Sequence, residues 1–224
     1  MNLRSFAHTD VGRVRPENED SMLRNETHHL YAVADGIGGL PSGGQASQLA
    51  VATLEKIVTS HDVGNKLDYI RIMTEINDQV FRLGRVLSPQ FGIGSTLTFA
   101  HLVGVKLYIG HVGDSCALRL RAKVIEQLTT DHTIENELRE RTARGEPLGM
   151  LMENRNALTR CIGQPPPLEA QCVSHTVLPH DRYLLSSDGI TRFVSHEEIS
   201  EVLAQSASPE IVARTLIDRA NERG

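Results

Sequence analysis

Residues 31–39 read YAVADGIGG and residues 183–190 read YLLSSDGI, so the chain twice drives an apolar run into an Asp-Gly pair, at Asp35-Gly36 and at Asp188-Gly189. A single Asp-Gly is a turn dipeptide, because Asp bonds its own backbone and Gly accepts a positive φ. Two of them, each closing a strand that reads as buried, place two carboxylates at the mouth of a core. That arrangement asks for a cation. The first run, from His28 to Ala34, shows little polar/apolar alternation at its apolar end, which predicts burial.

Outward from Asp35 the pattern changes to a helical one. After a Gly-rich loop at 36–44, Ala46, Leu49, Ala50, Thr53, Leu54, Ile57 and Val58 fall on one face, and Leu67, Ile70, Met73, Ile76, Val80 and Leu83 do so again. Two helices of about 14–20 residues are predicted, with the second stripe read as core packing. A strand-rich block follows in STLTFAHLVG (95–104), KLYIGHVGD (106–114) and CALRLRAK (116–123), whose short connections predict antiparallel hairpins. Residues 133–156 form a polar excursion, an Arg/Glu-rich helical piece and then a Gly-Glu-Pro loop. Two further strands at 171–178 and 181–188 lead to the second Asp-Gly, and helical patterns at 195–205 and 209–222 close the sequence. A short strand is also expected at LRSFAH (3–8). Strand, helix pair, many strands, helix pair is the order of an α+β fold with helices packed on a mostly antiparallel assembly.

The bulk properties agree with one large domain over residues 1–224. At 224 residues and 40% hydrophobic, such a chain buries roughly 70–75% of its unfolded surface. The net charge of −5 leaves no cationic footprint for nucleic acid. Three cysteines, Cys116, Cys161 and Cys172, make no CxxC pair, and their odd number suits a reducing compartment. No run of 18 apolar residues and no apolar leader is present, so the expectation is a cytoplasmic monomer without a membrane span.

The acidic residues define the chemistry. The segment TDVGRVRPENEDS (9–21) holds Asp10, Arg13, Arg15, Glu17, Glu19 and Asp20, and one reading of it is a solvated charge run. In an extended segment Arg15, Glu17 and Glu19 share a face and Asp20 lies on the other. If Glu19, Asp20, Asp35 and Asp188 converge, two carboxylates at about 4 Å repel by about 4 kcal/mol at an effective dielectric near 20. Either one stays protonated or a cation joins them. All-oxygen donors suit Mg²⁺ or Mn²⁺ rather than Zn²⁺, and Gly36, without a Cβ, lets its carbonyl approach an ion held by Asp35. Hard cations beside an arginine fit a phosphate, which cations neutralise and a guanidinium fork binds. The residues therefore point to phosphoester hydrolysis. Other readings are weaker: no HExxH or comparable histidine pair supports zinc, and GIGGLPSGG (36–44) lacks GK[ST] and the GxGxxG spacing.

Seven motifs fall in one order: TDVGRVRPENEDS, YAVADGIGG, GSTLTFA, HVGDS, LTTDHT, LTRCIG and LLSSDGIT. This order closely resembles the metal-dependent serine/threonine protein phosphatases of type 2C, in their compact bacterial form, over nearly the whole chain from Phe6. The resemblance implies a central antiparallel β-sandwich flanked by helix pairs, four layers in all, with a two-metal centre of Mg²⁺ or Mn²⁺ at one end. By motif position Asp35 would bridge both metals and the Gly36 carbonyl would bind one. Asp188 would hold the other, and Glu19 and Asp20 would support the site through waters. Arg15 matches the arginine that binds the substrate phosphate. Asp114 matches the residue that, with Asp188, holds a third and weaker ion, although HVGDS is also readable as a tight turn alone. Residues about 132–157 match a flap that affects substrate choice. The implied reaction is attack of a metal-bridged hydroxide on phosphoserine or phosphothreonine in a protein, opposing a Ser/Thr kinase. No CxxxxxR pattern surrounds any cysteine, in keeping with a reaction that has no thiol nucleophile.

Three departures accompany the resemblance. Ile37 stands where animal members carry a histidine, so the proton donor to the leaving group is open, and a metal-bound water is one candidate. Arg192 occupies a position where relatives often have an acidic residue. The family's last motif, an Asp-Asn pair opening a final core strand, would begin where TLIDRANERG ends, and Asp218 lies inside an amphipathic pattern and is a poor substitute. The expectation is a truncated sequence, whose missing strand would leave a sheet edge unpaired. The alternative is a catalytically impaired relative that binds phosphoproteins or a kinase.

Overall fold

A computed structural model describes residues 3–38, 42–146 and 154–224. Among these, eight strands and six helices follow in the order β1 (Asp20–Asn25), β2 (Leu30–Asp35), α1 (Gly43–Thr59), α2 (Tyr69–Leu87), β3 (Leu97–Val103), β4 (Lys106–Val112), β5 (Cys116–Arg121), β6 (Val124–Gln127), α3 (Ile134–Ala143), β7 (Gln171–Thr176), β8 (Arg182–Ser186), α4 (Asp188–Thr191), α5 (His196–Ala204) and α6 (Pro209–Asn221). All pairings are antiparallel, in a five-stranded sheet β1-β2-β3-β4-β7 and a three-stranded sheet β6-β5-β8.

The period-2 alternation of the central strands sorts side chains into layers. On β3, Leu97 and Phe99 join Leu54, Met73 and Ile76 beneath α1 and α2, while Ala100 and Leu102 turn to the other face. There they meet Leu107 and Ile109 of β4, Ala117 of β5 and Leu185 of β8, which form the core between the sheets. Cys116, Leu118 and Leu120 of β5 face Ile199, Val202 and Leu216 of α5 and α6. The result is the α-β-β-α stack. A strand covered on both faces has no polar side, which is why β3 reads as nearly continuous apolar sequence. Phe99 is fully buried, and a side chain of its size contributes about 2–3 kcal/mol by leaving water.

Helix ends are set by side chains that occupy otherwise unpaired backbone amides. Asp68 accepts from the Arg71 amide at the start of α2, Ser208 from Ile211 at α6, and Ser195 with Glu198 forms a reciprocal capping box at α5. The α1 helix has no side-chain cap, and its preceding Ser42 is left-handed at φ 63°.

Several expectations need correction. LRSFAH forms no strand; Ser5 instead bonds Glu26 at 2.9 Å and accepts from Arg24 at 3.0 Å, side chain to side chain, and a strand without a backbone ladder is not a strand. β2 is buried only at Leu30, Ala32 and Ala34, because its Tyr31, Val33 and Asp35 face lines a cleft. β8 is half-buried at Arg182–Leu185, since it is an edge strand among the described residues. The two Asp-Gly pairs are also unlike: Asp35 ends a strand, whereas Asp188 opens the helical turn α4 after Ser187. The Gly-rich loop and the excursion after His132 lie partly outside the described residues, at 39–41 and 147–153.

Candidate active site

Asp35 is fixed by its backbone before its side chain does anything. Its amide donates to Thr96 Oγ1 at 2.9 Å, and its carbonyl accepts from the Thr96 amide at 2.8 Å and from Ser95 Oγ at 2.9 Å. Thr96 Oγ1 in turn lies 2.6 Å from Ser115 Oγ, and the Ser95 amide donates to the Ile162 carbonyl at 3.1 Å. Three stretches distant in sequence are thereby tied to the Asp35 peptide. Gly36 donates to the Glu19 carbonyl at 3.1 Å and is buried against the start of α1. A Cβ there would sit 2.4 Å from both the carbonyl carbon and the oxygen of Gly43, so only glycine fits.

Across the β1–β2 ladder Asp20 is the direct partner of Asp35. Asp20 Oδ2 accepts from Ser187 Oγ at 2.9 Å, which brings the first turn of α4 and its Asp188 to the same place. Asp114 reaches it from the turn after β4, where Gly113 has φ 110° and a Cβ would meet Thr96 Cγ2 at 2.5 Å. Burial pushes the Asp35 carboxyl up to about 9, helped by the charges of Asp20, Asp188 and Asp114 and by a hydrogen bond to Asp20. Burial also raises Asp20, against the hydrogen bonds from Ser187 and Asp35. Asp114 is raised to about 6 by burial and by Asp188, with Arg192 opposing.

Two arginines frame these acids. A bend at Pro16–Glu17 replaces the extended course expected there, so Glu17 turns to solvent while Arg15 Nη1 comes within 3.9 Å of Glu19 Oε2. Arg15 is largely exposed and leans over Gly38. Glu19 Oε1 lies against Gly43 at the start of α1, a helix end with no acidic residue of its own in the first turn and the place where a carboxylate is favoured. At the other end Arg192 forms an ion pair with Asp188 and lies 4.0 Å from Asp114. Asp10 takes no part: it accepts from the Gly12 amide and from Asn221 of α6.

Arg15, Glu19, Asp20, Asp35, Asp114 and Asp188 all line one cleft of about 1370 Å³, which Asn154 and Leu158 border from the excursion side. Among the described residues no three Asp, Glu, His or Cys side chains close round one point as a finished cage. The acids are held in pairs: Asp20 with Asp35, Asp114 with Asp188, and Glu19 with Arg15. Buried carboxylates that mutually raise their proton affinity, offering oxygen donors only and a side-chain-free approach at Gly36, fit hard divalent cations. The thiols do not fit nucleophilic chemistry, since burial pushes Cys116 up to about 12 and Cys161 and Cys172 up to about 11. His111 and His132, whose tilted rings lie 4.9 Å apart, are pushed down to about 3 and about 4 by burial; His111 bonds Thr98 and the Thr130 carbonyl, and His132 accepts from Gly113.

Sequence reasoning alone did not single out Ser187, Thr96 or Ser115. Ser187 stands beside Asp188 and Ser115 beside Asp114 in quoted runs, and Thr96 lies within GSTLTFA, which are the signals that could have found them.

Known proteins resemble the chain over nearly its whole length. The family model described as Protein phosphatase 2C matches residues 5–224. The serine/threonine phosphatase stp of Listeria monocytogenes is 29% identical, over 96% of this chain and 89% of that protein. The structure of PppA, a key regulatory component of T6SS in Pseudomonas aeruginosa, superposes with a TM-score of 0.85 at 30% identity, covering 99% of this chain and 92% of that one. The serine/threonine phosphatase PstP/Ppp of Mycobacterium tuberculosis does so with a TM-score of 0.79 at 30% identity, covering 96% and 90%, and a PstP catalytic domain has been solved in complex with two manganese ions. The chain therefore belongs to the protein phosphatase 2C family of serine/threonine phosphatases, in its compact bacterial form.

Proposed function

We propose that this chain, as a single catalytic domain, hydrolyses phosphoserine and phosphothreonine in proteins with two Mg²⁺ or Mn²⁺ ions, opposing a Ser/Thr kinase. The observation that carries the reading is the buried Asp20–Asp35 pair, with Asp114 and Asp188 close enough to raise Asp35 further and an exposed arginine at the rim. Asp35 with the Gly36 carbonyl, and Asp188, would hold the two cations. Glu19 and Asp20 would support them through water, and Asp114 with Asp188 would take a third. When bound, the ions supply an activated water and neutralise phosphate oxygens.

The residues of the chain do the rest. Arg15, exposed beside Glu19, binds two phosphate oxygens with its guanidinium fork and orients the phosphorus over Asp35. Ser187 and the Thr96–Ser115 pair keep Asp20 and Asp35 in place while charge moves, so that little reorganisation accompanies the reaction. Residues about 132–157 act as the flap against the phosphoprotein: the Glu135 amide donates to the Arg155 carbonyl at 2.8 Å and Asn154 borders the cleft.

Hydrolysis of a phosphothreonine peptide with Mn²⁺, with excess EDTA, and by Asp35→Asn tests the reading. Turnover with Mn²⁺ that EDTA and Asp35→Asn both abolish is expected. Turnover that persists in EDTA, or a folded chain that binds the peptide without cleaving it at any Mn²⁺ concentration, would overturn it.

A further inference from the structure

The acidic cluster carries an arginine at each end, and the two are not alike. Arg15 sits on an irregular segment and faces Glu19, which is held to it by one contact of 3.9 Å. Arg192 ends α4, and its amide donates to the Asp188 carbonyl at 2.9 Å. One helical turn, i to i+4, folds its guanidinium back over the carboxylate of the residue that opens the same helix. The same Nη2 lies 4.0 Å from Asp114 Oδ2. Asp114 comes from the turn after β4 and Asp188 from the end of β8, so the arginine joins carboxylates delivered by two different sheets. No other cation lies within 4.0 Å of either acid among the described residues. Both acids are largely covered, at 14% and 19% side-chain exposure, while Arg192 is 55% exposed and has open solvent to move into.

We propose that Arg192 is a tethered monocation standing in the position between Asp114 and Asp188, where it competes with a divalent ion for that pair and keeps its affinity there low. This rests on the two-metal reading of the site and goes beyond it. A dication entering between the two acids meets charge already half neutralised and has to turn the guanidinium out to water. A surface-accessible ion pair of this kind is weak enough to be displaced, so the competition sets a threshold rather than a block. The cation held by Asp35 and the Gly36 carbonyl binds without displacing Arg192, whereas any cation that uses Asp188 has to move it. The consequence is a graded site, in which the last cation loads only at high metal concentration.

The test is a count of bound Mn²⁺ by electron paramagnetic resonance of the free ion, with calorimetry, on the whole chain as purified without metal. Wild type, Arg192→Met, Arg192→Lys and the double variant Arg192→Met/Asp114→Asn are compared. The expected result is a weakest Mn²⁺ equivalent that tightens on the order of tenfold in Arg192→Met, by less in Arg192→Lys, and not at all once Asp114 is also changed. The tightest equivalent, at Asp35, keeps its affinity. If Mn²⁺ binds tightly but Arg192→Met leaves every equivalent unchanged, the tethered-cation role is wrong while the metal reading stands. If Arg192→Met instead raises KM for a phosphopeptide with Mn²⁺ binding unchanged, Arg192 reads substrate and the proposal fails. If wild type and Arg192→Met bind no Mn²⁺ at all, both this proposal and the reading beneath it fail.

Discussion

Asp20 and Asp35 stand directly opposite one another in the β1–β2 ladder, where burial and the charge of Asp20 push the Asp35 carboxyl well above the usual carboxylate range. Facing positions of an antiparallel pair hold their Cβ atoms about 4.5–5.5 Å apart, a distance at which like charges destabilise. The metal-free fold therefore carries a cost at its functional centre, and removing one charge exposes it.

Asp35→Asn should stabilise the metal-free chain while abolishing hydrolysis. The folded-state value of Asp35 is raised, to about 9 from an unfolded 3.8. The stability that its neutral form allows is fully present below the unfolded value and is lost as pH rises through the folded one. In EDTA, wild type should melt lower at pH 8.5 than at pH 5.5, with a shallower slope in Asp35→Asn and a gain of about 1–3 kcal/mol at pH 8. Equal pH slopes by calorimetry would contradict the raised value.

Arg15→Ala should act on catalysis and leave stability alone. Its ion pair with Glu19 is long and exposed, worth about 0–1 kcal/mol, so the melting point should hold. The phosphate fork is lost, and kcat/KM for a phosphothreonine peptide should fall about 10–100-fold, or about 1.4–2.7 kcal/mol. Arg15→Lys restores the charge without the planar fork and should recover part of that loss. An unchanged kcat/KM would remove Arg15 from the phosphate site.

Gly36→Ala should be costly for a reason unrelated to charge. Its new methyl would lie 2.4 Å from the backbone of Gly43, and a helix start cannot yield as a flexible side chain does. A loss of about 2–4 kcal/mol in urea unfolding is expected. Gly189→Ala, where the nearest atom is Ser187 Oγ at 3.7 Å, should change stability by less than about 0.5 kcal/mol.

Acid stability should depend on Asp181, far from the catalytic acids. Burial would raise this carboxyl, but two hydrogen bonds from Arg121 at 2.7 and 2.6 Å, with others from the Leu178 amide and Tyr183, bring it down to about 2 from 3.8. A depressed value contributes stability that is present above the unfolded pKa and disappears as pH falls through the folded one. Wild type should lose about 2 kcal/mol between roughly pH 4 and pH 2 from this group, and urea midpoints of Asp181→Asn should lack that component.

Burial decides which strands could be read in advance. β3 and β4 announce themselves because a strand inside a sandwich is apolar over most of its length. β1, DSMLRN, buries only Leu23 and mixes charge at Asp20 and Arg24, so nothing in its composition sets it apart from the charged segment before it. β6, VIEQ, has no buried residue; it exists because Ala122 and Lys123 at φ 49° and 67° fold it back onto β5. Of the candidate site, Arg15, Glu19, Asp20, Asp35, Asp114 and Asp188 were all legible as a motif series. Glu17, which shares a face with Arg15 and Glu19 only in an extended segment, is exposed at a bend.

The sequence by itself determined the α+β class, since helical and strand periodicities are local properties of a chain and the apolar faces they create must be covered; the four-layer order came from the resemblance. It also determined the donor chemistry, carboxylates with arginine and no reactive thiol. Only the tertiary structure decided which groups meet. Ser187 bonds Asp20 across 167 residues, Thr96 meets Ser115 beneath Asp35, and Arg192 turns back between acids from two sheets. Such pairings follow from strand register and from how two sheets stack. Both are fixed by packing summed over distant segments, so no one segment shows which partner it will meet.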